Sequence, residues 1–227
     1  GNALATEFKF LIKHRFYKVG KTVLPYTIFN TPLLKSILRG ISLFFLRTLG
    51  WKEIGQLPEK AKYLMIVAPH TSNWDVFYGV ILAFALKLDA CFIAKKELFR
   101  WPFSPLMKWL GGLPIDRALS SNVVDRMIHE FEANEKFVLA IAPEGTRHKA
   151  GYWKSGFYHI AEGAHVPIQL AFIDYANKTG GVGPLIYPTG DIDRDMSAIR
   201  DFYLTVKGKY PDQTSPAAIR PRNDLFL

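Results

Sequence analysis

The apolar positions of the chain change period several times, and each change marks an element. Between Leu33 and Leu49, the residues Leu33, Leu34, Ile37, Leu38, Ile41, Phe44, Phe45 and Leu49 recur at helical spacing. Pro32 before the stripe and Gly50 after it are suitable helix punctuation. Beyond Lys52 the pattern alternates between short apolar runs and longer amphipathic stretches. Tyr63–Ala68 is a continuous apolar run, as expected of a strand covered on both faces. Trp74–Leu86 reads as a helix, Ala90–Ala94 as a strand, Pro102–Leu110 as a short helix and Leu113–Ile115 as a short strand. Asn122–Asn134 is a helix with Val123, Met127, Ile128 and Phe131 on one face. Phe137–Ala142 is a strand, Ser155–Glu162 a helix, Val166–Ile173 a strand, Gly183–Tyr187 a further strand and Met196–Val206 the last helix. The tail, with Pro211, Pro216 and Pro221, reads as irregular. Strands separated by helices predict an α/β layered fold, with a mostly parallel or mixed central sheet flanked by helices.

Charge divides the chain unevenly. Residues 1–52 hold Lys9, Lys13, Arg15, Lys18, Lys21, Lys35, Arg39, Arg47 and Lys52 against the single acid Glu7, a net +8 of the chain's +9. A basic segment rich in leucine, isoleucine and phenylalanine suits an anionic bilayer surface. The helical stripe has two readings, a helix docked on the protein's own core and a helix lying in the membrane interface, and one face can serve each. Lys35, Arg39 and Arg47 interrupt the apolar stretch well short of the ~20 residues a membrane span needs, so no transmembrane helix is expected. The expected location is the cytoplasmic face of a membrane, peripheral or monotopic. The single cysteine, Cys91, allows no intrachain disulfide and sits in an apolar run without an activating neighbour, as a core residue does.

Two strand-to-helix or strand-to-loop junctions are dense in polar groups, where chemistry gathers in open α/β sheets. The first, Pro69–Asp75, places His70 five residues before Asp75. A carboxylate in the first turn of a helix can hold one ring nitrogen of the histidine and leave the other free to take a proton. That is a base and its partner without a nucleophile, so the attacking hydroxyl would come from a substrate. The plainer alternative is that Ser72, Asn73 and Asp75 cap a helix and His70 is a packed loop residue. The second junction reads Pro143–Glu144–Gly145–Thr146–Arg147. Gly145 permits close backbone approach, Arg147 offers a planar fork suited to phosphate, Thr146 adds a hydroxyl, and Glu144 can orient Arg147 or accept from a hydroxyl. The alternative is a polar turn with a Glu–Arg pair.

His-x4-Asp after one strand and Glu-Gly-Thr-Arg after a later one together resemble the glycerophospholipid acyltransferase family. Trp109–Arg117 is similar to that family's second block and Val166–Ile168 to its fourth, and all four stand in order within residues 63–173. The resemblance implies His70 as general base and Asp75 as its orienting partner. It implies Arg117, Glu144, Gly145, Thr146 and Arg147 as acceptor- and phosphate-binding residues, with Lys154 and Gly112 in support. It also implies an acyl donor that is acyl-CoA or acyl-carrier protein, no cofactor or metal, and an N-terminal segment (1–52) seating the acyltransferase domain (53–227) on membrane lipids. Pro69 departs from the polar residue usual before the histidine, and Pro114–Asp116 depart in the second block. These departures leave a lysophospholipid, such as 1-acylglycerol-3-phosphate, and an amino-acid- or sugar-linked lipid open as acceptors. A non-catalytic lipid-binding protein would predict a damaged motif, whereas His70, Asp75, Glu144 and Arg147 are intact. A nucleic-acid binder is disfavoured because no recognition motif accompanies the charge, a serine hydrolase because no Gly-x-Ser-x-Gly occurs, and a metal site because no ligand spacing occurs.

Overall fold

A computed structural model describes residues 16–19, 22–25, 27–28, 32–115 and 120–219. In chain order the elements are β1 (Phe16–Val19), β2 (Thr22–Pro25), α1 (Pro32–Thr48), β3 (Lys52–Ile54), β4 (Lys62–Val67) and α2 (Trp74–Ala85). There follow β5 (Cys91–Lys95), α3 (Ser104–Trp109), β6 (Gly112–Ile115), α4 (Ser120–Ala133) and β7 (Phe137–Ile141). The last are α5 (Gly156–Gly163), β8 (Ile168–Asp174), β9 (Thr179–Ile186) and α6 (Ile192–Tyr203). Single 3₁₀ turns occupy Lys96–Phe99 and Pro211–Gln213.

Seven strands form one mixed sheet in the order β3-β9-β8-β4-β7-β5-β6. All neighbouring strands run parallel except β8 and β9. The fold is therefore the expected α/β sandwich of helices around a sheet. The apolar run of β4 explains its central place. Leu64, Ile66 and Ala68 face one side, where they meet α4 (Met127, Phe131), α5 (Phe157, Ile160) and α6 (Met196, Ile199). Tyr63, Met65 and Val67 face the other, against α2 (Ala83, Phe84), Leu34 and Leu38 of α1, and Trp109 at the end of α3. Period-two alternation thus supplies both core layers, each large side chain contributing roughly 1.5–3 kcal/mol on full burial.

Of the N-terminal stripe, Leu34 and Leu38 dock on the protein, and Leu46, outside the stripe, docks with them. Leu46 of α1 is buried with Trp51 and with Ile81 and Leu82 of α2. Ile37, Ile41, Phe44 and Phe45, on the same helix, remain exposed. The basic segment 1–52 also holds the antiparallel pair β1–β2, and Lys52–Ile54 forms the edge strand β3 against β9. Strand β9 begins four residues before the expected Gly183 because Gly180 and Gly181 conceal it. Added Cβ atoms there would collide with Leu82 and with the Ile54 carbonyl, so glycine is what lets α2 and β3 approach.

Candidate active site

Strands β4, β7 and β8 run parallel, so the segments leaving their carboxyl ends gather at one edge of the sheet. His70 leaves β4, Glu144 leaves β7 and Tyr175 leaves β8. Asp75 lies in the first turn of α2 and is buried. Its Oδ2 is 3.0 Å from His70 Nδ1 and accepts from the backbone N–H groups of Thr71 and Ser72, each at 2.8 Å. Its Oδ1 accepts from the Tyr175 hydroxyl at 2.7 Å. Helix entry and histidine orientation are thus one structure. Ser72 Oγ receives the N–H of Trp74, and Asn73, although at the capping position, makes no side-chain cap.

Burial by itself raises the pKa of Asp75, but the hydrogen bonds from His70, Tyr175 and Ser72, with the adjacent imidazole charge, outweigh it and hold the carboxyl below its ordinary value. Asp75 is therefore an anion at neutral pH. It favours the tautomer in which Nδ1 carries the proton and donates to the carboxylate, leaving Nε2 free as acceptor. The His70 side chain keeps 22% of its surface exposed, enough to meet a substrate. Tyr175, half-buried and bound to that carboxylate, has its pKa pushed far up and stays protonated as a donor.

The two junctions meet directly. Glu144 is buried, and its Oε2 accepts the backbone N–H of His70 at 2.7 Å. Its Oε1 has no hydrogen-bond partner among the described residues. Burial, opposed by the His70 N–H and reinforced by the Asp75 charge, raises the Glu144 pKa to about 7. Glu144 therefore fixes the backbone of the histidine turn and, among the described residues, does not pair with Arg147 in the way the sequence allowed.

Gly145 has φ +66°, a left-handed conformation suited to glycine, and a Cβ there would press on the Lys154 side chain at 3.0 Å. Lys154, whose N–H donates to the Pro143 carbonyl, therefore lies across the turn. Thr146 Oγ1 accepts the N–H of His148 at 3.2 Å, and Arg147 stands exposed on the same turn. Gly112 is not brought to this edge. It opens β6 at the opposite end of the parallel strands, where Phe92, Phe99 and the Met107 carbonyl leave no room for a Cβ. Its glycine is a packing requirement. Arg117 lies outside the described residues.

Two contributors carried no recognisable signal in the sequence. Tyr175 stands alone after an apolar strand, with no motif around it. The tail, read as irregular, is a strap over the site. Lys207 O accepts the Tyr175 N–H, Tyr210 N donates to Thr71 Oγ1, and Lys209 Nζ sits 4.6 Å over the Trp74 ring. Further on, Ser215 Oγ receives the Ala150 N–H and Ala218 O receives the Trp153 N–H, so one segment ties both junctions together. These scattered backbone and side-chain contacts leave no pattern in the composition.

A buried carboxylate and an oriented imidazole, beside a glycine turn at the carboxyl ends of parallel strands, form an arrangement that can take a proton from a hydroxyl at His70 Nε2. The sequence profile of the acyltransferase family matches residues 52–173, more than half of the chain, and the chain belongs to that family. The fold is similar to that of the 1-acyl-sn-glycerophosphate (LPA) acyltransferase PlsC from Thermotoga maritima. The TM-score is 0.50 at 18% identity, covering 73% of this chain and 74% of that one. No curated protein matches the chain by sequence.

Proposed function

We propose that this acyltransferase moves a fatty acyl group from the thioester of acyl-CoA or acyl-carrier protein to a free hydroxyl of a lysophospholipid such as 1-acylglycerol-3-phosphate. His70 Nε2 takes the hydroxyl proton as the oxygen attacks the thioester carbonyl. Collapse of the tetrahedral adduct breaks the C–S bond, and the imidazolium returns the proton to the departing thiolate. The products are an ester and a free thiol, with no acyl-enzyme. Asp75 holds the imidazole and stabilises its charge during the transfer. Arg147, with Thr146, Gly145, Lys154 and Arg117, binds the acceptor's phosphate.

The observation that carries this reading is Asp75 Oδ2 at 3.0 Å from His70 Nδ1, in a carboxylate already holding donors from Thr71, Ser72 and Tyr175. So complete an orientation of one histidine, beside a site with no serine or cysteine nucleophile bonded to it among the described residues, fits direct transfer to a substrate hydroxyl. The family and the PlsC-like fold support the acyl chemistry.

The acceptor keeps one chain in the bilayer, so the enzyme works at the membrane surface. No helix among the described residues is long and apolar enough to cross a membrane. The exposed Ile37, Ile41, Phe44 and Phe45 of α1, in the basic segment 1–52, support peripheral seating on anionic lipid at the cytoplasmic face. The test is thiol release from acyl-CoA and acyl-carrier protein across a panel of lysolipids that includes amino-acid- and sugar-linked ones. Release only with phosphate-bearing acceptors supports the proposal, and release with none of them overturns it.

A further inference from the structure

The segment between β5 and β6 presents large apolar side chains to solvent. Trp101 is 88% exposed, Phe103 66%, Leu98 51% and Leu106 48%, all within nine residues. They are not the fringe of a loose loop. Trp109 and Leu110, immediately after, pack into the buried cluster that holds Leu34 and Leu38 of α1. The segment is therefore anchored at its base and apolar at its tip. The anchoring also puts it on the face of the sheet that carries α1 and α2, where Ile41, Phe44, Trp74 and Phe77 are likewise exposed.

Charge beside this tip is predominantly positive. Lys96, Arg100 and Lys108 of the same segment, with Arg126 of α4, line an open cleft of about 700 Å³ in which Glu97 is the sole acid. Arg126 is steadied there by the Pro114 carbonyl. Exposed tryptophan and phenylalanine ringed by lysine and arginine is the pattern of an interfacial anchor, the rings entering the acyl boundary and the cations staying with phosphate groups.

We infer that residues 96–110 form a second membrane-seating element: Leu98, Trp101, Phe103 and Leu106 insert into an anionic bilayer, and the cleft of Lys96, Arg100, Lys108 and Arg126 receives its phosphate headgroups. The inference rests on the reading of the protein as an enzyme of bilayer lipids, and it extends the seat beyond the basic N-terminal segment. It also brings the lipid surface to the edge at which β5 and β6 end, two and three strands from β4, or about 10–15 Å.

The test uses the full chain, as wild type and as Trp101→Ser/Phe103→Ser and Lys96→Gln/Arg100→Gln double variants. Vesicles are of neutral phosphatidylcholine, alone or with phosphatidylglycerol. The aromatic variant should lose about tenfold in affinity for both vesicle types. The charge variant should lose about fivefold per charge on the anionic vesicles only. Quenching of tryptophan emission by bromine-labelled lipid chains should fall in Trp101→Phe. Turnover of a water-soluble short-chain acceptor by Trp101→Ser/Phe103→Ser, with circular dichroism, separates this inference from the catalytic reading. Retained turnover with weakened vesicle binding supports the loop as a seat. Unchanged vesicle binding and quenching overturn it, and so does a loss of self-association on sedimentation with no change at vesicles, which would make the tip an interface between copies of this chain.

Discussion

The hydroxyl of Tyr175 donates to Asp75 Oδ1 at 2.7 Å across one hundred residues of sequence, and so completes the set of donors around the carboxylate that orients His70. The bond joins the end of β8 to the start of α2. Behind Tyr175 stand Trp51, its ring centroid 5.3 Å away, and Tyr78, at 5.6 Å. Lys209 Nζ lies 6.0 Å from the Tyr175 ring on the open side.

Tyr175→Phe keeps this packing and removes one donor. A hydrogen bond to a charged group is worth about 1.5–3 kcal/mol, so kcat should fall about tenfold or more while KM for the donor holds. The carboxylate loses one of the bonds that keep its pKa low, so the Asp75 titration, followed by carbon NMR, should move to higher pH. A lower rate with an unmoved Asp75 titration would leave Tyr175 a purely structural residue.

Asp75→Asn preserves shape but neither compensates the imidazolium nor selects the Nδ1-protonated tautomer. Turnover should drop by about 10²–10⁴-fold with little change in melting temperature. A variant within twofold of wild type would remove Asp75 from the mechanism.

Glu144 separates two roles by substitution. Glu144→Gln retains an acceptor for the His70 N–H and should keep much of the activity, whereas Glu144→Ala abandons that N–H and should lose most of it. The pH dependence has a definite sign. The folded pKa is raised from the ordinary 4.5 to about 7, so the folded state holds this proton more tightly than the unfolded chain does. Stability from this group is therefore full below about 4.5 and is lost as pH rises through about 7. Urea midpoints measured across that window should fall less for Glu144→Gln than for wild type. An equal fall would show that another group carries the dependence.

Arg147→Lys replaces a planar fork with a point charge on the exposed turn beside Gly145. KM for a phosphate-bearing acceptor should rise about tenfold with KM for the acyl donor unchanged. The reverse pattern would assign the arginine to the donor.

Much of this site was legible because its strands are uninterrupted apolar runs that end at polar junctions. β4 and β7 announce themselves in this way, and His70, Asp75 and Glu144 follow them directly. The fold class follows from the same alternation. What escaped was held by contacts that leave no periodic trace. Tyr175 acts through a single hydroxyl, and the 207–219 strap binds through scattered backbone and side-chain contacts. Strand β9 hides behind glycines that exist to admit Leu82 and Ile54. The role of Glu144 also reads differently in three dimensions. Its neighbour in sequence is an arginine turn, but its bond is to the histidine's own backbone.

The central claim is that His70, held by Asp75, is the base for acyl transfer to a lysophospholipid hydroxyl. The most direct measurement is the rate of thiol release from acyl-CoA or acyl-carrier protein in the presence of 1-acylglycerol-3-phosphate, for wild type and His70→Ala at equal concentration, with circular dichroism confirming that both are folded. The account predicts acceptor-dependent release by the wild type and a loss of about 10²–10⁴-fold in the folded variant. Near wild-type release by His70→Ala would contradict it.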